Sequence, residues 1–341
     1  MNRAAASISP YAELYGHGGR LGAAARLFPQ ARTPWIDLST GISPWPYPAE
    51  AETDWSRLPE PAALTGLEAA AAACFGAPDP EEVVAVPGSD LALRLLPQLL
   101  GVADARYLSP IYSGHKAAWP DARPMIPGTL EGAELLILCN PNNPDGRTTA
   151  RSELYRFPGQ IIVDEAFADT MPGLTLAPDR RGAIVLRSFG KFFGLPGLRL
   201  GFVIADRPLA RRLRALIGDW PVGSATIAIA KAAYRDSDWQ TRQRQRLADA
   251  SQRLDTLLKA CGLTIAGGTP LFRLARCERG SELFHHLAQA GILTRPFADD
   301  ANALRFGLPG EAPQWQRLEQ ALSAWSSQGA IPKTLPATMP A

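Results

Sequence analysis

The chain has 341 residues, of which 46% are hydrophobic and 20% are charged. This length and composition are typical of a globular protein with two domains, or with one large domain and a smaller companion. The formal net charge is only +2. Neither nucleic acid nor a membrane surface is therefore expected as the main partner.

The wide separation of the cysteines and the lack of long apolar runs favour a cytoplasmic location. The four cysteines are widely separated and form no CxxC pair, which predicts reduced thiols in or near the core. Residues 1–10 lack the basic and then apolar pattern of a signal sequence. No apolar run reaches the about 18 residues that a bilayer span requires. We therefore expect no membrane segment.

Strands and helices are predicted to alternate over the first two thirds of the chain. Five short apolar runs predict buried strands, because they lack polar alternation and end in polar or glycine-rich turns. They cover residues 83–86, 135–138, 161–163, 183–186 and 201–204. Helical segments, including 64–75 and 91–100, separate several of them. This order predicts an α/β fold with a mainly parallel sheet covered on both faces.

The pattern changes after about residue 206. Segments 207–216 and 239–261 are predicted to be helical. The second contains three arginines between positions 242 and 246, which we interpret as a solvated helix face because no aromatic residues are interleaved with them. Two further segments, 263–275 and 291–308, flank a helix near 281–290 and predict a small α+β domain.

The predicted domain organisation has four parts. Residues 1–48 form an N-terminal segment, and residues 49–210 form a large ligand-binding domain. Residues 211–325 form the small C-terminal domain. Residues 326–341 carry three prolines and are predicted to be a disordered tail.

Four of the predicted strands lead directly into loops with reactive or polar side chains. These loops are Gly88-Ser89-Asp90, the segment from Asn140 to Gly146, the segment from Asp164 to Phe167, and the segment from Ser188 to Gly201. Ligands of open α/β sheets bind outside the carboxyl ends of the strands. Four such loops at one sheet edge therefore predict a single site.

The last of these loops carries the most specific pattern. Lys191 follows Ser188 by three residues and precedes Arg199 by eight, within a glycine-rich stretch. This spacing places an amine beside an anion site, as required of a lysine that holds a phosphorylated aldehyde. We therefore predict that Lys191 carries pyridoxal 5′-phosphate (PLP) as a Schiff base, which makes residues 49–210 a PLP-binding domain.

The neighbouring loops supply the remaining contacts that this cofactor needs. Asp164 is predicted to keep the pyridine nitrogen protonated, and Asn143 to donate to the ring hydroxylate. Tyr112 is predicted to stack on the ring. The phosphate is predicted to contact a set of side chains and helix-terminal amides at Ser188, Arg199, Gly88, Ser89 and Asp90.

Each motif also has a simpler interpretation. A lysine in a glycine-rich loop is usually a surface residue, the Asn-Pro-Asn-Asn-Pro run is a good turn sequence, and Asp164-Glu165 is compatible with a metal. No GxxxxGK[ST] loop, HExxH spacing, GxSxG elbow or GxGxxG turn is present to support another chemistry. The joint occurrence of the four loops favours PLP, and we predict no metal site.

These motifs resemble those of a known family. Asn142-Asn143-Pro144-Asp145-Gly146, Asp164-Glu165-Ala166-Phe167 and the pattern Ser188-x-x-Lys191-x-x-Gly-x-x-Gly-x-Arg199-x-Gly201 resemble the fold-type I PLP-dependent aminotransferases, near histidinol-phosphate aminotransferase. His17-Gly18-Gly19-Arg20 and the run from Ile36 to Pro44 are similar to the cobalamin-biosynthesis branch, which includes threonine-phosphate decarboxylase. The resemblance covers about residues 14–325.

The resemblance implies a homodimer with active sites at the subunit interface and a small phosphorylated amino acid as substrate. It also implies that residues 1–48 provide an arm and part of the small domain. Arg305 matches the arginine that grips the substrate α-carboxylate, a role that suits a planar guanidinium. Arg295 and the His17–Arg20 loop are candidates for the substrate phosphate. Gly41, in the second N-terminal motif, is grouped with the substrate-binding residues.

Three positions depart from the family pattern. Phe167 replaces a tyrosine that many relatives aim at the ring hydroxyl, which leaves Asn143 as the expected donor there. Leu58 replaces a tyrosine that reaches the neighbouring subunit's cofactor phosphate. Gly190 replaces a hydroxyl residue that is common just before the lysine. These departures fit the cobalamin branch better than a simple aminotransferase.

Three hypotheses about activity follow. The first is a PLP-dependent decarboxylase that converts L-threonine O-3-phosphate to (R)-1-amino-2-propanol O-2-phosphate. The second is an aminotransferase acting on a phosphorylated substrate such as histidinol phosphate. The third is a non-catalytic partner in cobalamin assembly, which the intact Lys191, Asp164 and Arg199 disfavour. Sequence alone does not choose between decarboxylation and transamination, because the choice depends on bond orientation.

Overall fold

The computed structural model describes residues 11–126 and 132–329. The helices are α1 Ala12–Gly16, α2 Leu21–Leu27, α3 Pro61–Phe75, α4 Ser89–Leu100, α5 Ser113–Ala118, α6 Arg151–Leu154, α7 Phe189–Phe192, α8 Arg207–Ile217, α9 Ser224–Arg235, α10 Ser237–Ala260, α11 Gly280–Gln289 and α12 Ala312–Gly329. The strands are β1 Ile36–Asp37, β2 Val83–Val86, β3 Ala105–Leu108, β4 Arg123–Met125, β5 Leu135–Cys139, β6 Gln160–Asp164, β7 Ile184–Ser188, β8 Gly201–Ile204, β9 Thr264–Thr269, β10 Phe272–Arg276, β11 Ile292–Leu293, β12 Arg295–Phe297 and β13 Asp300–Gly307.

The larger of two compact units comprises residues 41–252 and 266–274. Its seven-stranded sheet has the order β2–β8–β7–β6–β5–β3–β4. Strand β8 is antiparallel to both neighbours, and the other adjacent pairs are parallel. The prediction of an α/β fold with a mainly parallel sheet is confirmed, and so are all five predicted strands.

The sheet is buried because its strands are apolar on both faces. Residues of β2, β5 and β8 are all buried, as expected for strands covered by helices on both sides. Strands β3 and β4 were not predicted, because Arg106 and Arg123 interrupt their apolar runs. Both lie at one side of the sheet, where less of the strand is covered.

The helices on this sheet begin and end at recognisable signals. Helix α3 starts three residues before its predicted beginning, because Pro61 suits the first helical position. It ends at Gly76, whose φ of 73° is left-handed. Helix α8 begins where the Asp206 side chain accepts from the backbone N–H of Leu209 at 3.1 Å.

The smaller unit comprises residues 1–40, 253–265 and 275–341, of which 1–10 and 330–341 lie outside the described residues. In it β12 pairs antiparallel with β13, and β1 pairs parallel with β11. Helices α1, α2, α11 and α12 belong to the same unit. The mixture of strands and helices agrees with the small α+β domain expected from the sequence.

The unit boundaries differ from the predicted domain boundaries at 48 and 210, since the larger unit begins at Gly41 and continues to Gln252. Helix α12 extends to Gly329, so residues 326–329 are helical, which corrects the predicted start of the tail. The prolines that suggested disorder lie further on, in 330–341, outside the described residues. Among the described helices, none is both long and apolar enough to cross a membrane.

Candidate active site

The four predicted loops lie at one edge of the large sheet. Strands β2, β5, β6 and β7 run in the same direction, because β2 and β7 are each antiparallel to the intervening β8. Their carboxyl ends therefore face the same side. Arg199 lies just before β8, whose amino end is at this edge. The structure thus brings together the loops on which the cofactor prediction rests.

Lys191 lies on α7, the short helix that directly follows β7. It is half-buried, and its carbonyl accepts from the backbone N–H of Ser43 at 2.9 Å. The preceding Gly190 has no room for a side chain, because a Cβ there would lie 2.8 Å from Cα of Pro196. The departure from the family pattern at position 190 therefore has a local steric cause.

A cradle for an anion forms where α4 begins. Gly88 precedes the helix with a φ of 86°, and a Cβ at this residue would lie 2.4 Å from Nη2 of Arg199. A Cβ on Gly201 would lie 2.4 Å from the backbone nitrogen of Ser89. Ser188 pairs with Gly201 across β7 and β8. The amides at the helix terminus and the guanidinium suit a phosphate.

Asp90 belongs to this cradle through its backbone. Its Oδ2 forms an ion pair with Nε of Arg94 at 3.0 Å. The carboxylate is thus engaged within its own helix, and the amide of Asp90 is the group suited to a bound anion.

Asp164 is positioned by a buried hydrogen-bond set at the end of β6. Its Oδ2 accepts from Nε2 of His115 at 2.9 Å, and its Oδ1 accepts from the backbone N–H of Ala166 at 3.0 Å. Burial opposes protonation of His115, whereas Cys139 and the hydrogen bond to Asp164 raise the pKa of this imidazole to about 10. A protonated His115 donates a charged hydrogen bond to the Asp164 carboxylate, the group that can hold a pyridinium nitrogen.

Sequence reasoning did not assign His115 a role. It stands three residues after Tyr112, so both project from the start of α5. His115, Cys139 and Asp164 are buried, and each offers one possible metal-ligand atom. These three atoms lie within 4.8 Å of one another. A nitrogen, a sulfur and an oxygen donor suit zinc. The group lies at the carboxyl end of β6, at the sheet edge that also carries the anion cradle and the lysine.

Tyr112 lies near both Asp90 of the anion cradle and Asp164. Burial and the charges of Asp90 and Asp164 raise the pKa of this phenol to about 12, so it stays neutral. A Cβ at Gly114 would lie 2.2 Å from its ring. The aromatic face is thus held in a fixed orientation beside the residues predicted to bind the cofactor.

The Asn143 loop is held by its neighbour Asn142. Nδ2 of Asn142 donates to the carbonyl of Pro110 at 2.9 Å and to Oδ1 of Asp145 at 2.8 Å. Asn142 is buried and Asn143 is half-buried. The sequence pattern selected Asn143 as the cofactor ligand, and the structure adds that Asn142 fixes the loop around it.

A hairpin outside the predicted PLP domain supports this loop. A Cβ on Gly267 would lie 2.0 Å from the carbonyl oxygen of Asp145, and a Cβ on Gly146 would lie 2.0 Å from that of Gly268. Both Gly267 and Gly268 have positive φ values, 156° and 152°. The sequence signal for this contact was the Gly-Gly pair itself, which marks a close backbone approach.

The same hairpin covers Phe167. The rings of Phe167 and Phe272 meet edge to face with centroids 5.1 Å apart. A Cβ on Gly41 would lie 2.9 Å from a carbon of each ring. Gly41, which was predicted to contact substrate, thus packs closely against both aromatic residues.

Glu165 takes part in a buried charge network. It accepts from Nη1 of Arg187 at 2.9 Å and from the Thr175 hydroxyl at 2.5 Å. Arg187 also pairs with Asp169. This network ties the residue after Asp164 to the residue just before Ser188. It therefore positions both the loop predicted to bind the ring and the lysine loop, and it was not predicted.

The predicted substrate residues His17, Arg295 and Arg305 belong to the smaller unit. Arg305 is buried, and its Nη2 donates to the carbonyl of Ser39 at 3.0 Å. Arg295 donates to the carbonyl of Leu14 at 2.6 Å and to that of Gly16 at 2.9 Å. The guanidinium of Arg295 therefore supports the chain immediately before His17.

The chain matches the family described as aminotransferase class I and II over residues 126–321. It is 43% identical over 325 residues to a threonine-phosphate decarboxylase of Pseudomonas aeruginosa, covering 90% of this chain and 96% of the relative. It is 35% identical to a threonine-phosphate decarboxylase of Sinorhizobium sp, covering 90% and 97%.

Two solved structures share the fold. Histidinol-phosphate aminotransferase from Sinorhizobium meliloti, in complex with pyridoxal-5′-phosphate, has a TM-score of 0.77 at 20% identity and covers 96% of this chain and 100% of that chain. L-threonine-O-3-phosphate decarboxylase from Porphyromonas gingivalis has a TM-score of 0.70 at 21% identity and covers 85% and 99%.

Proposed function

Because this chain belongs to the class I and II aminotransferase family, we propose that it is a PLP-dependent lyase. It decarboxylates L-threonine O-3-phosphate to (R)-1-amino-2-propanol O-2-phosphate in cobalamin biosynthesis. The observation that carries the choice of reaction is the 43% identity to a threonine-phosphate decarboxylase over 90% of this chain. A second relative with the same name covers an equal share.

The proposed cofactor fits the residues at the sheet edge. Gly88 and Arg199 leave a cradle that a single Cβ would fill, and the N-terminal amides of α4 add donors for the phosphate. Asp164, hydrogen-bonded to a protonated His115, is suited to the ring nitrogen. Asn143 and Tyr112 are proposed for the ring hydroxylate and the ring face. When bound, PLP supplies an electron-withdrawing ring that accepts the electron pair left at Cα.

Lys191 has two proposed tasks. Its Nζ holds the cofactor before substrate arrives, and it then delivers a proton to Cα in place of the departing carboxylate. The first task requires a primary amine, so no other side chain at position 191 can perform it.

The substrate is proposed to be held through its two anionic groups. Arg305 binds the α-carboxylate, and the His17–Arg20 loop binds the phosphate with support from Arg295. The bond at Cα that breaks is the one perpendicular to the cofactor ring, so these contacts select decarboxylation by turning the carboxylate into that direction.

Product analysis tests the proposed reaction. Cofactor-loaded protein is expected to release carbon dioxide from threonine phosphate without any oxo acid. If no carbon dioxide is released and the amino group is transferred to 2-oxoglutarate, the proposal is wrong and the protein is an aminotransferase. That second candidate is favoured by one observation, the likeness in fold to a histidinol-phosphate aminotransferase with a TM-score of 0.77.

Absorbance tests the cofactor assignment separately. Lys191→Ala is expected to abolish the visible absorbance of the bound cofactor and to stop turnover. Lys259→Ala is the matched control, because Lys259 is exposed in the last turn of α10. An unchanged spectrum in Lys191→Ala, or a wild-type protein with no such absorbance, would remove the PLP proposal and leave a non-catalytic role.

The homodimer and the cytoplasmic location belong to the same proposal. Trp55 and Leu58 are 83% and 64% exposed in the chain taken alone, which supports an apolar contact with a second copy. All four cysteines are free, which agrees with a reducing compartment. Light scattering of the purified protein tests the dimer, and a monomeric mass at micromolar concentration would count against it.

A further inference from the structure

The N-terminal motif from Ile36 to Pro44 is not explained by cofactor binding. Within it β1 ends at Asp37, and the next residues run between two strands of the smaller unit. The Leu38 N–H donates to the carbonyl of Leu293 at 2.8 Å, and the Leu38 carbonyl accepts from the N–H of Gly307 at 2.7 Å. This backbone pairing fixes the segment that leads into Ser39.

The Ser39 hydroxyl has a defined hydrogen-bond direction. It donates to Oδ1 of Asp37 at 2.5 Å and accepts from the backbone N–H of Gly19 at 2.8 Å. Because the backbone N–H of Gly19 can only donate, a hydroxyl lone pair points to Gly19 and the hydroxyl proton points to Asp37. Ser39 is only 2% exposed, so water does not replace either bond.

The loop that Ser39 holds is the His17-Gly18-Gly19 turn. A Cβ on Gly18 would lie 2.3 Å from the carbonyl oxygen of Ser39, and Gly19 has a φ of 78°. Only glycine permits this approach and this conformation. Arg295 holds the chain on the other side of His17 through the carbonyls of Leu14 and Gly16. The turn is therefore fixed on both sides.

Ser39 also positions Arg305. Its carbonyl accepts from Nη2 of Arg305 at 3.0 Å. One buried residue thus contacts the His17 turn through its hydroxyl and the guanidinium through its carbonyl. Because both contacts come from the same residue, the distance between the turn and the guanidinium is set by Ser39.

We propose that Ser39 is a positioning residue for the phosphate of the substrate, acting through the His17-Gly18-Gly19 turn. This inference rests on the proposed function, in which that turn binds phosphate and Arg305 binds carboxylate. Loss of the hydroxyl releases the Gly19 amide and leaves the carbonyl contact to Arg305 in place. The effect should therefore be specific to phosphorylated ligands.

The test compares Ser39→Ala with Ser281→Ala, whose exposed hydroxyl makes only a 3.4 Å contact to the Ala301 carbonyl. Ser39→Ala is expected to raise KM and the calorimetric Kd for threonine phosphate about tenfold. We expect kcat to change less than about twofold, and the cofactor spectrum to stay the same. The Ki of inorganic phosphate should rise in parallel, whereas inhibition by L-threonine should not change.

A second variant keeps the hypothesis testable if Ser39→Ala folds poorly. Gly19→Ala leaves both the hydroxyl and the Ser39 carbonyl intact but strains the turn at its left-handed φ of 78°, so it should weaken phosphate binding in the same selective way. Equal affinities of wild type and both variants for inorganic phosphate would overturn the inference. If wild type releases no carbon dioxide but Ser39→Ala still loses phosphate affinity, the proposed reaction fails and the role of Ser39 stands.

Discussion

Arg295 and Arg305 lie directly opposite each other on the antiparallel strands β12 and β13. Residues opposite each other in such a pair project from the same face of the sheet. Both are buried, and both donate to backbone carbonyls of the N-terminal segment, Arg295 before His17 and Arg305 after it. Arg295 and Arg305, on neighbouring strands, thus hold the N-terminal segment on either side of His17.

This arrangement predicts different effects for the two lysine substitutions. In Arg295→Lys a single ammonium group replaces the guanidinium that donates to the carbonyls of both Leu14 and Gly16. We therefore expect the free energy of unfolding to fall by about 1–3 kcal/mol. In Arg305→Lys we expect a larger rise in KM, about tenfold or more, because the proposed bidentate contact with the substrate carboxylate would be lost. Urea unfolding and steady-state kinetics of both variants measure the difference. Equal effects on KM in the two variants would contradict the division of roles.

The pH dependence of stability reports on the buried pair of His115 and Asp164. The pKa of His115 is about 10 in the folded protein and 6.5 as its ordinary value. Between these values the folded state binds more protons than the unfolded state. The stabilisation is therefore fully present below the ordinary pKa and is lost as pH rises through about 10.

The matched variant is His115→Gln, which keeps a donor toward Asp164 but does not titrate. The stability of wild type should fall relative to the variant as pH rises above 6.5, with a slope of at most about 1.4 kcal/mol per pH unit. Chemical unfolding of the apoprotein at several pH values gives both curves. If the curves stay parallel across this range, His115 does not carry the proton assigned to it.

The sequence predicted the large sheet well, because its central strands are uninterrupted apolar runs. Val83–Val86 and Gly201–Ile204 were found at the residues where the structure has them. The reversed direction of β8 was not predicted, since an apolar run carries no information on which way the strand runs. It matters for the site, because it brings Arg199 to the edge where Lys191 lies.

Long-range contacts are the part that sequence reasoning missed. His115 is separated from Asp164 by 49 positions and Arg187 from Glu165 by 22, and no local pattern connects either pair. The approach of Gly267 to the Asn143 loop depends likewise on how the hairpin packs. Motifs identified the residues suited to the cofactor, whereas the residues that position them became visible only in the structure.

Gly190 provides a test of a departure from the family pattern. Gly190→Ser restores the hydroxyl residue expected before the lysine, but its Cβ would lie 2.8 Å from Cα of Pro196. Backbone atoms yield less readily than a flexible side chain, so we expect a destabilisation of about 1–3 kcal/mol and weaker cofactor binding. Thermal unfolding and cofactor titration measure these effects.

The control for Gly190→Ser is Gly197→Ser in the same loop, where a Cβ meets no atom within 4 Å. This variant should keep both the stability and the cofactor affinity of wild type. A Gly190→Ser protein that binds cofactor as tightly as wild type would show that the segment around Pro196 moves without penalty, and the steric explanation would fail.

Glycines at the two ends of α4 allow the effect of the anion cradle to be separated from the effect of backbone strain. Gly88 and Gly101 both have positive φ, 86° and 63°. Alanine at either position costs about 1–2 kcal/mol in conformational strain. Only at Gly88 does the new Cβ also meet Arg199, at 2.4 Å from Nη2, whereas at Gly101 nothing lies within 4 Å.

We therefore expect Gly101→Ala to lower the unfolding temperature without changing the affinity for PLP. Gly88→Ala should lower it by a similar amount and also weaken PLP binding by about tenfold or more, because the guanidinium is displaced from the phosphate. Fluorescence titration of apoprotein with PLP separates the two effects. Pyridoxal without phosphate should bind equally to wild type and Gly88→Ala. If Gly88→Ala lost as much affinity for pyridoxal as for PLP, the cradle at Gly88 would not be the phosphate site.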